Sequence, residues 1–319
     1  MAKESCNMTV DADIQGLTCV YSLSFSLGLP ANLLSLWGLY QLGFSGGGVQ
    51  LVYLLNLLLS DLLQLLTLPV WIMYLQGHHR WSYTSAACNV VGYLFYVNLY
   101  ASVAFLCLIA IDRYLAIVRP LGSRQVRTLR VAFFTSLAVW TVAILFCLSG
   151  LYPSVFQTDT RHCLEKYPVS ARYASFKIAT IIVGFLLPCA ILWYTSACIF
   201  AALKNSPSTS DHERRKIKGT LIIITIIFII VFGPYHLVGA YKFVAFFQTK
   251  DRCSLEQSLF LTYRLCYGLT SLNNLLDPFF YIFLSNNIRK ELKSLWCLRK
   301  GSSQSNSGRD LCLELNDCH

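Results

Sequence analysis

A chain of 319 residues with 55% hydrophobic side chains, only 13% charged ones and a net charge of +10 is too apolar and too poor in charge for a soluble domain of this length. With a mean hydropathy of +0.53, the composition excludes a soluble globular protein and leaves a polytopic membrane protein. Seven apolar segments follow in order, at roughly 17–42, 49–76, 86–118, 129–152, 173–203, 218–247 and 257–284, each long enough to span a bilayer with some tilt.

The first span follows a short polar tail, residues 1–16, which carries the sequon Asn7-Met8-Thr9. No basic region precedes a short apolar run with a cleavage site, so the first span is expected to serve as its own insertion signal. Gly46-Gly47-Gly48 reads as a tight loop before the second span. The third span begins near Cys88 and ends in Ile111-Asp112-Arg113-Tyr114. A helical rise of about 1.5 Å per residue puts Cys88 and Arg113 roughly 37 Å apart, slightly more than a hydrocarbon core. The fifth, sixth and seventh spans carry Pro188, Pro234 and Pro278, each of which removes a helical hydrogen bond and creates a hinge-prone point. After the seventh, residues 285–298 contain the amphipathic stretch Asn287–Trp296, expected to lie along the membrane face. Residues 299–319 form a tail. Cys297, at the end of the amphipathic stretch, is either a palmitoylation site or an unmodified thiol.

Sixteen of the 26 Lys and Arg residues, among them Arg113, Arg119, Arg127, Arg214 and Lys290, fall on one side of the spans. That side is cytoplasmic by the positive-inside rule, which places the amino terminus and the Asn7 glycosylation candidate outside. The ten basic residues of the outer side outnumber the outer acids Glu4, Asp11, Asp13, Asp159, Glu165, Asp251 and Glu256 by three. The outer mouth should therefore attract anions; the alternative is that these bases are solvated or touch lipid headgroups.

Asn32, Asp61, the Asp112-Arg113-Tyr114 cluster, Trp140, Pro188, Phe232-Gly233-Pro234-Tyr235 and Asp277-Pro278-Phe279-Phe280-Tyr281 occur one set per span, in order. Across the whole membrane region this collinear set resembles the rhodopsin-like G-protein-coupled receptors. The resemblance implies an all-α membrane protein, a seven-helix bundle over 17–284 with a short amphipathic eighth helix, multi-pass in the plasma membrane. It also implies that heterotrimeric G proteins, receptor kinase and arrestin are partners, alongside membrane lipids, and that nucleic acid is not. No catalytic motif is present: there is no nucleophile elbow, no phosphate-cradling glycine loop and no metal-ligand spacing among the histidines. A transporter is the rival class, and it would show repeated, interrupted helices in two halves.

In that family Asp112, Arg113, Tyr114, Phe232, Pro234, Asp277, Pro278 and Tyr281 form the switch. Leu121, an apolar residue among bases in the second inner loop, would insert into the G protein. The chain departs from the family pattern in having Phe232 for a tryptophan, Asp277 for an asparagine, Ser196 for a tyrosine, and Arg214 where an acid would lock Arg113 to the sixth span. Arg113 is then left to pair with neighbouring Asp112, and basal activity is expected. Asp61, with Asn32, Ser102, Asn273 and Asp277, forms either a site for an allosteric sodium ion, as in the family, or a static network that fixes helix packing. The resemblance pairs Cys88 with Cys163; Cys6 and Cys253, the other plainly outer cysteines, are expected to form a second bridge.

The departures, with His79-Arg80-Trp81, residues 152–158 and Cys253-Ser254-Leu255-Glu256, resemble a subgroup of receptors for protons, lysolipids and oxidised fatty acids. Trp71, Tyr74, Tyr93, Tyr96, Lys177, Tyr235, His236, Tyr263, Arg264 and Tyr267 occupy the outer halves of the spans. They are expected to line a pocket for an anionic lipid, with a nucleotide or peptide as the alternative, although tyrosine and tryptophan at this depth also serve as headgroup anchors. Lys177 and Arg264 are expected to hold the anion, since an unpaired buried cation is costly. His78, His79, His162 and His236 are candidates for modest pH sensing, or simply solvated side chains.

Overall fold

The computed structural model describes residue 6 and residues 10–44, 48–152, 162–204 and 210–284. Asn7, Cys297, the 285–298 stretch and the 299–319 tail lie outside the described residues, as does the side chain of Tyr281.

Backbone amides in a hydrocarbon layer have no water to bond to, so a spanning chain satisfies them within a helix. Accordingly every regular element among the described residues is helical. Helix one is Ile14–Phe44, helix two Val49–Gln76, helix three Ser85–Val118 and helix four Leu129–Leu151. Helix five is Ala171–Lys204 and helix six Asp211–Gln248. Helix seven comprises Arg252–Leu269 and Asn273–Leu284, joined by the 3-10 turn Thr270–Leu272. Six of the seven are long and apolar enough to cross a membrane uninterrupted; the seventh apolar segment is the one broken by that turn. The chain is a multi-pass membrane protein.

Several helices start at side-chain caps. Thr84, Thr128, Ser170 and Asp251 accept hydrogen bonds from the backbone amides of Ala87, Val131, Tyr173 and Ser254 at the starts of helices three, four, five and seven, which fixes where each leaves its loop. Helix three runs through the centre, burying Phe95, Asn98, Ser102, Phe105 and Asp112. Opposite it the bundle turns apolar residues outward: Leu66, Trp193, Ile230 and Leu237 are 64–71% exposed, an arrangement suited to lipid.

Two local features position the site. A Cβ on Gly150 would collide with the Phe176 ring, so glycine allows helix five to close on helix four beside Lys177. Below Lys177 helix five widens into a π turn, Ile182–Leu186, just ahead of Pro188, whose missing N–H leaves that stretch of the hydrogen-bond ladder free to shift.

Candidate functional site

The end of the bundle that carries the disulfides is held by an unusual number of covalent and ionic ties. Cys88 joins Cys163, with Cα atoms 5.6 Å apart, and Cys6 joins Cys253 across 5.4 Å. The same end holds a closed ring of four charged side chains, of which Arg264, 19% exposed, is the least buried. His79 Nε2 is 3.0 Å from Asp13 Oδ1 and its Nδ1 is 2.8 Å from Glu165 Oε1. Arg264 Nε donates to Asp13 Oδ2 at 2.6 Å, and Arg264 Nη1 lies 3.1 Å from Glu165 Oε1.

His78 and His79 both adopt positive φ, 53° and 57°, a left-handed turn that costs non-glycine residues of the order of 1 kcal/mol each. The turn aims the His79 ring inward between the two carboxylates, whose contacts offset that cost. Burial alone would lower the pKa of His79, but its hydrogen bonds to Asp13 and Glu165 outweigh burial and raise it to about 9. Burial pushes Glu165 up, yet the Arg264 charge and the His79 hydrogen bond more than compensate, and its carboxyl is held below the usual value.

Beneath this ring is a cavity of about 90 Å³. Of the residues expected to form a pocket, Trp71, Tyr96, Tyr263, Arg264 and Tyr267 line it. Four others belong to the surrounding packing. Tyr74 is buried against Trp71 and Trp81, and its hydroxyl accepts from the Cys163 amide. Tyr93 instead turns to helix four, donating to the Ile144 carbonyl, because its position on helix three faces that seam. Tyr235 and His236 lie deeper, His236 stacked on Phe185 of the π turn with ring centroids 5.2 Å apart.

Lys177 sits one layer below the cavity, fully buried. Its Nζ lies 4.1 Å from the centre of the Tyr96 ring and within 6 Å of the rings of Tyr173, Tyr235 and Tyr267, and it donates to the Tyr235 hydroxyl at 2.9 Å. Tyr96, Tyr173 and Tyr267 also line the cavity, so their rings form the partition between it and the ammonium group. No carboxylate pairs with Lys177 among the described residues.

Three sequence expectations need correction here. Arg264 is not an unpaired cation, because Asp13 and Glu165 neutralise it. His79, between two carboxylates, carries its proton well above neutral pH and does not titrate near the ordinary histidine value. The cavity is also lined by two cations that were expected only as part of the general outer charge: Lys166, which is exposed, and Lys242, 2.7 Å from Glu256 and 4.6 Å over the Tyr263 ring. The signal for Lys242 was in the sequence, since an ionisable residue inside an apolar span marks a functional candidate. Tyr173, Phe243 and Phe260 also line the cavity, with no motif to single them out. Of the remaining histidines, His78 is exposed and 3.0 Å from Asp11, and His162 Nδ1 is 3.0 Å from the His79 carbonyl.

In the middle of the bundle, the Asn273 amide donates to Ser102 Oγ at 2.9 Å and to Asp277 Oδ2 at 2.6 Å. Fully buried Asp61 adjoins Asp277, and Asn32 donates to the Gly28 and Asn274 carbonyls. One turn from Ser102 on helix three is Asn98, whose two buried side-chain polar atoms have no hydrogen-bond partner among the described residues.

The Asp-Arg-Tyr end is built differently. Arg113 lines a cavity of about 20 Å³ with Leu106, Ile109, Leu192, Ser196 and Thr225. The expected Asp112–Arg113 pair is not made: Asp112 Oδ1 is held by Arg127 Nε at 2.9 Å. Tyr114 packs against Tyr194. Above, Phe232 is fully buried against Phe228, with Pro234 two residues on. Pro278 lies inside helix seven after Asp277. Leu121 is 81% exposed on the loop between helices three and four.

Residues 45–281 match the model of the 7 transmembrane receptor (rhodopsin family). The chain is 35% identical to the human protein named "Probable G-protein coupled receptor 132", over 97% of this chain and 83% of that one. It is 34% identical to mouse "G-protein coupled receptor 68", covering 86% and 75% respectively. A rat "Uracil nucleotide/cysteinyl leukotriene receptor" is 30% identical over 93% of this chain and 87% of its own length. Seven helices, the ordered motif set and these matches agree that the chain is a signalling receptor rather than an enzyme, and it belongs to the rhodopsin family of seven-transmembrane receptors.

Proposed function

We propose that this receptor sits in the plasma membrane with its disulfide end outside, takes a monoanionic acyl ligand there, and activates heterotrimeric G proteins. The observation that carries the ligand class is a charge count. Asp13, Glu165 and Glu256 balance His79, Arg264 and Lys242 pairwise, leaving Lys177 as the one buried positive charge of the site without a carboxylate. One negative headgroup that passes between the Tyr96, Tyr173 and Tyr267 rings satisfies it, and the aromatic walls suit an acyl chain. A nucleotide or other polyanion would have only exposed Lys166 for its further charge, or would have to displace Glu256 from Lys242.

Lys177 also supplies a route from ligand to switch. Its bond runs to Tyr235, the residue after Pro234, so an anion that draws the ammonium group upward pulls on helix six at its proline hinge. Motion of helix six relative to helices three and five would widen the cavity at Arg113 and expose a binding face next to Leu121. Receptor kinase and arrestin would act on the same side.

The donor set of Asp61, Ser102, Asn98, Asn273 and Asp277 fits a hard monovalent cation, since oxygen ligands surround two adjoining carboxyls that cannot cheaply both ionise. Sodium would supply that charge at rest. For protons we infer only modest modulation, because His79 already carries its charge.

The test compares an acidic lipid with its neutral amide on wild type and Lys177→Met at matched surface expression. Losing one charge-assisted hydrogen bond costs about 1.5–3 kcal/mol, so acid potency should fall about 10- to 150-fold and the acid's advantage over the amide should vanish. An amide as potent as the acid on wild type would overturn the reading.

A further inference from the structure

The acid and the arginine of the Asp-Arg-Tyr cluster are adjacent in sequence but not partners. Asp112 is 3% exposed and points one carboxylate oxygen at Arg127, whose side chain is 31% exposed. Its other oxygen, Oδ2, has no hydrogen-bond partner among the described residues, and neither does Arg113 Nε. Two opposite charges on successive residues are thus both incompletely satisfied, and the group that keeps them apart comes from the loop.

That loop is a constrained element. Ser123 Oγ donates to the Leu115 carbonyl at 3.2 Å, the Ser123 amide to Arg119, and the Arg127 amide to the Ser123 carbonyl at 2.9 Å. Buried Ser123 therefore anchors the turn against the end of helix three, and Thr128 caps helix four immediately after Arg127. Between a hydrogen-bonded turn and a helix cap, Arg127 has little freedom to leave Asp112. A charge-assisted contact at 2.9 Å to a buried carboxylate is the stronger class of hydrogen bond.

We infer that Arg127 is a positioning residue of the receptor switch: by holding the Asp112 carboxylate, it denies Arg113 its neighbouring counter-charge and leaves Arg113 free in its cavity, which raises signalling in the absence of ligand. Arg214 stands at the start of helix six where an acid would otherwise capture Arg113, so Asp112 is the nearest carboxylate in sequence able to restrain it. Removing Arg127 should return Asp112 to Arg113 and quieten the receptor. An ordinary structural salt bridge would predict the opposite sign or no effect.

This inference rests on the G-protein reading, and the experiment separates the two. Full-length receptor in lipid nanodiscs is assayed for ligand-independent guanine-nucleotide exchange on purified G proteins of each subtype, as wild type, Arg127→Ala, Arg127→Lys and the double variant Arg127→Ala with Asp112→Asn. Basal exchange should drop about threefold to tenfold in Arg127→Ala, an effect of the size a partly exposed pair sustains. It should stay near wild type in Arg127→Lys and recover in the double variant, where no carboxylate remains to restrain Arg113. A basal rate that is unchanged or raised in Arg127→Ala, or a double variant as low as the single one, would overturn it. In the same samples, spin-label distances between the cytoplasmic ends of helices four and six report the switch without any G protein. If wild type drives no G protein but Arg127→Ala shortens that distance, the coupling reading falls and the clamp stands; if the distance is also unchanged, the clamp falls.

Discussion

The two ends of this bundle solve the problem of charge inside a membrane protein in opposite ways. At the disulfide end, six ionised side chains close into pairs and rings, and two cystine bridges tie the tail and the loops to the helices. At the Asp-Arg-Tyr end the ion pair of the switch is made to a loop arginine and Arg113 has no ion-pair partner among the described residues. Saturated charge fixes geometry, whereas unsaturated charge leaves an element that a modest free energy can move. The proposed roles ask for this division: a preformed pocket at the one end and, at the other, a surface that opens to a G protein.

The largest effect should come from breaking the ring. Asp13→Ala leaves Arg264 and His79 short of a partner in a buried site, and orphaning one member of such a network costs about 3–5 kcal/mol. A thermal-unfolding midpoint well below wild type, together with reduced surface expression, is expected. A variant as stable as wild type would show that the ring is ornamental to the fold of the disulfide end.

The second prediction sharpens the contrast from the other side. Leu121 is exposed and touches nothing that holds the bundle together, so Leu121→Asp should leave the unfolding midpoint and surface expression within error of wild type. It should nevertheless cut agonist-driven nucleotide exchange about 100-fold, equivalent to about 2.7 kcal/mol at the transition state. Retained exchange would place the G-protein contact elsewhere on the loop.

The helices were legible in the sequence because a bilayer demands long apolar runs, and that demand is stronger than any intrinsic preference. The 3-10 break in helix seven was not. The turn at Thr270–Leu272 depends on hydroxyls that bond backward to the chain, Thr270 to the Tyr267 carbonyl and Ser271 to that of Gly268, with Ser271 also 3.1 Å from Ser24 on helix one; only the last of these is a tertiary contact, and it spans 247 residues. The cavity was half legible. Aromatic residues at the right depth could be picked out, but rotation about the helix axis decides whether Tyr93 meets the cavity or Ile144. The charge ring was invisible for the same reason in stronger form: Asp13 and Arg264 are 251 residues apart, and no spacing rule connects a tail, two loops and a helix. The Asp-Arg-Tyr motif showed the reverse error. Adjacency made Asp112 and Arg113 look like a pair, while Arg127, 15 residues on, is the partner that helix and turn geometry deliver.

The smallest effect is a pH dependence, and its sign distinguishes a lock from a sensor. His79 in the folded receptor has a pKa of about 9 against an ordinary 6.5, facing Asp13 and Glu165 with Arg264 across the ring. A raised histidine pKa contributes stability that is fully present below 6.5 and is lost as pH rises through 9. The Glu165 carboxyl, held low, changes nothing in that window because its contribution disappears only on acidification. Between pH 7 and 8 a single such proton alters stability by about 1 kcal/mol, so the unfolding midpoint of the purified receptor should fall slightly but steadily on going alkaline. In His79→Gln, which keeps a hydrogen-bonding side chain but cannot take the proton, the midpoint should be lower throughout and its slope over this range should flatten. A wild-type midpoint that instead rises from pH 7 to 8 would mean that His79 is neutral in the ring, and the disulfide end would then hold a proton-triggered element where the geometry indicates a permanent clamp.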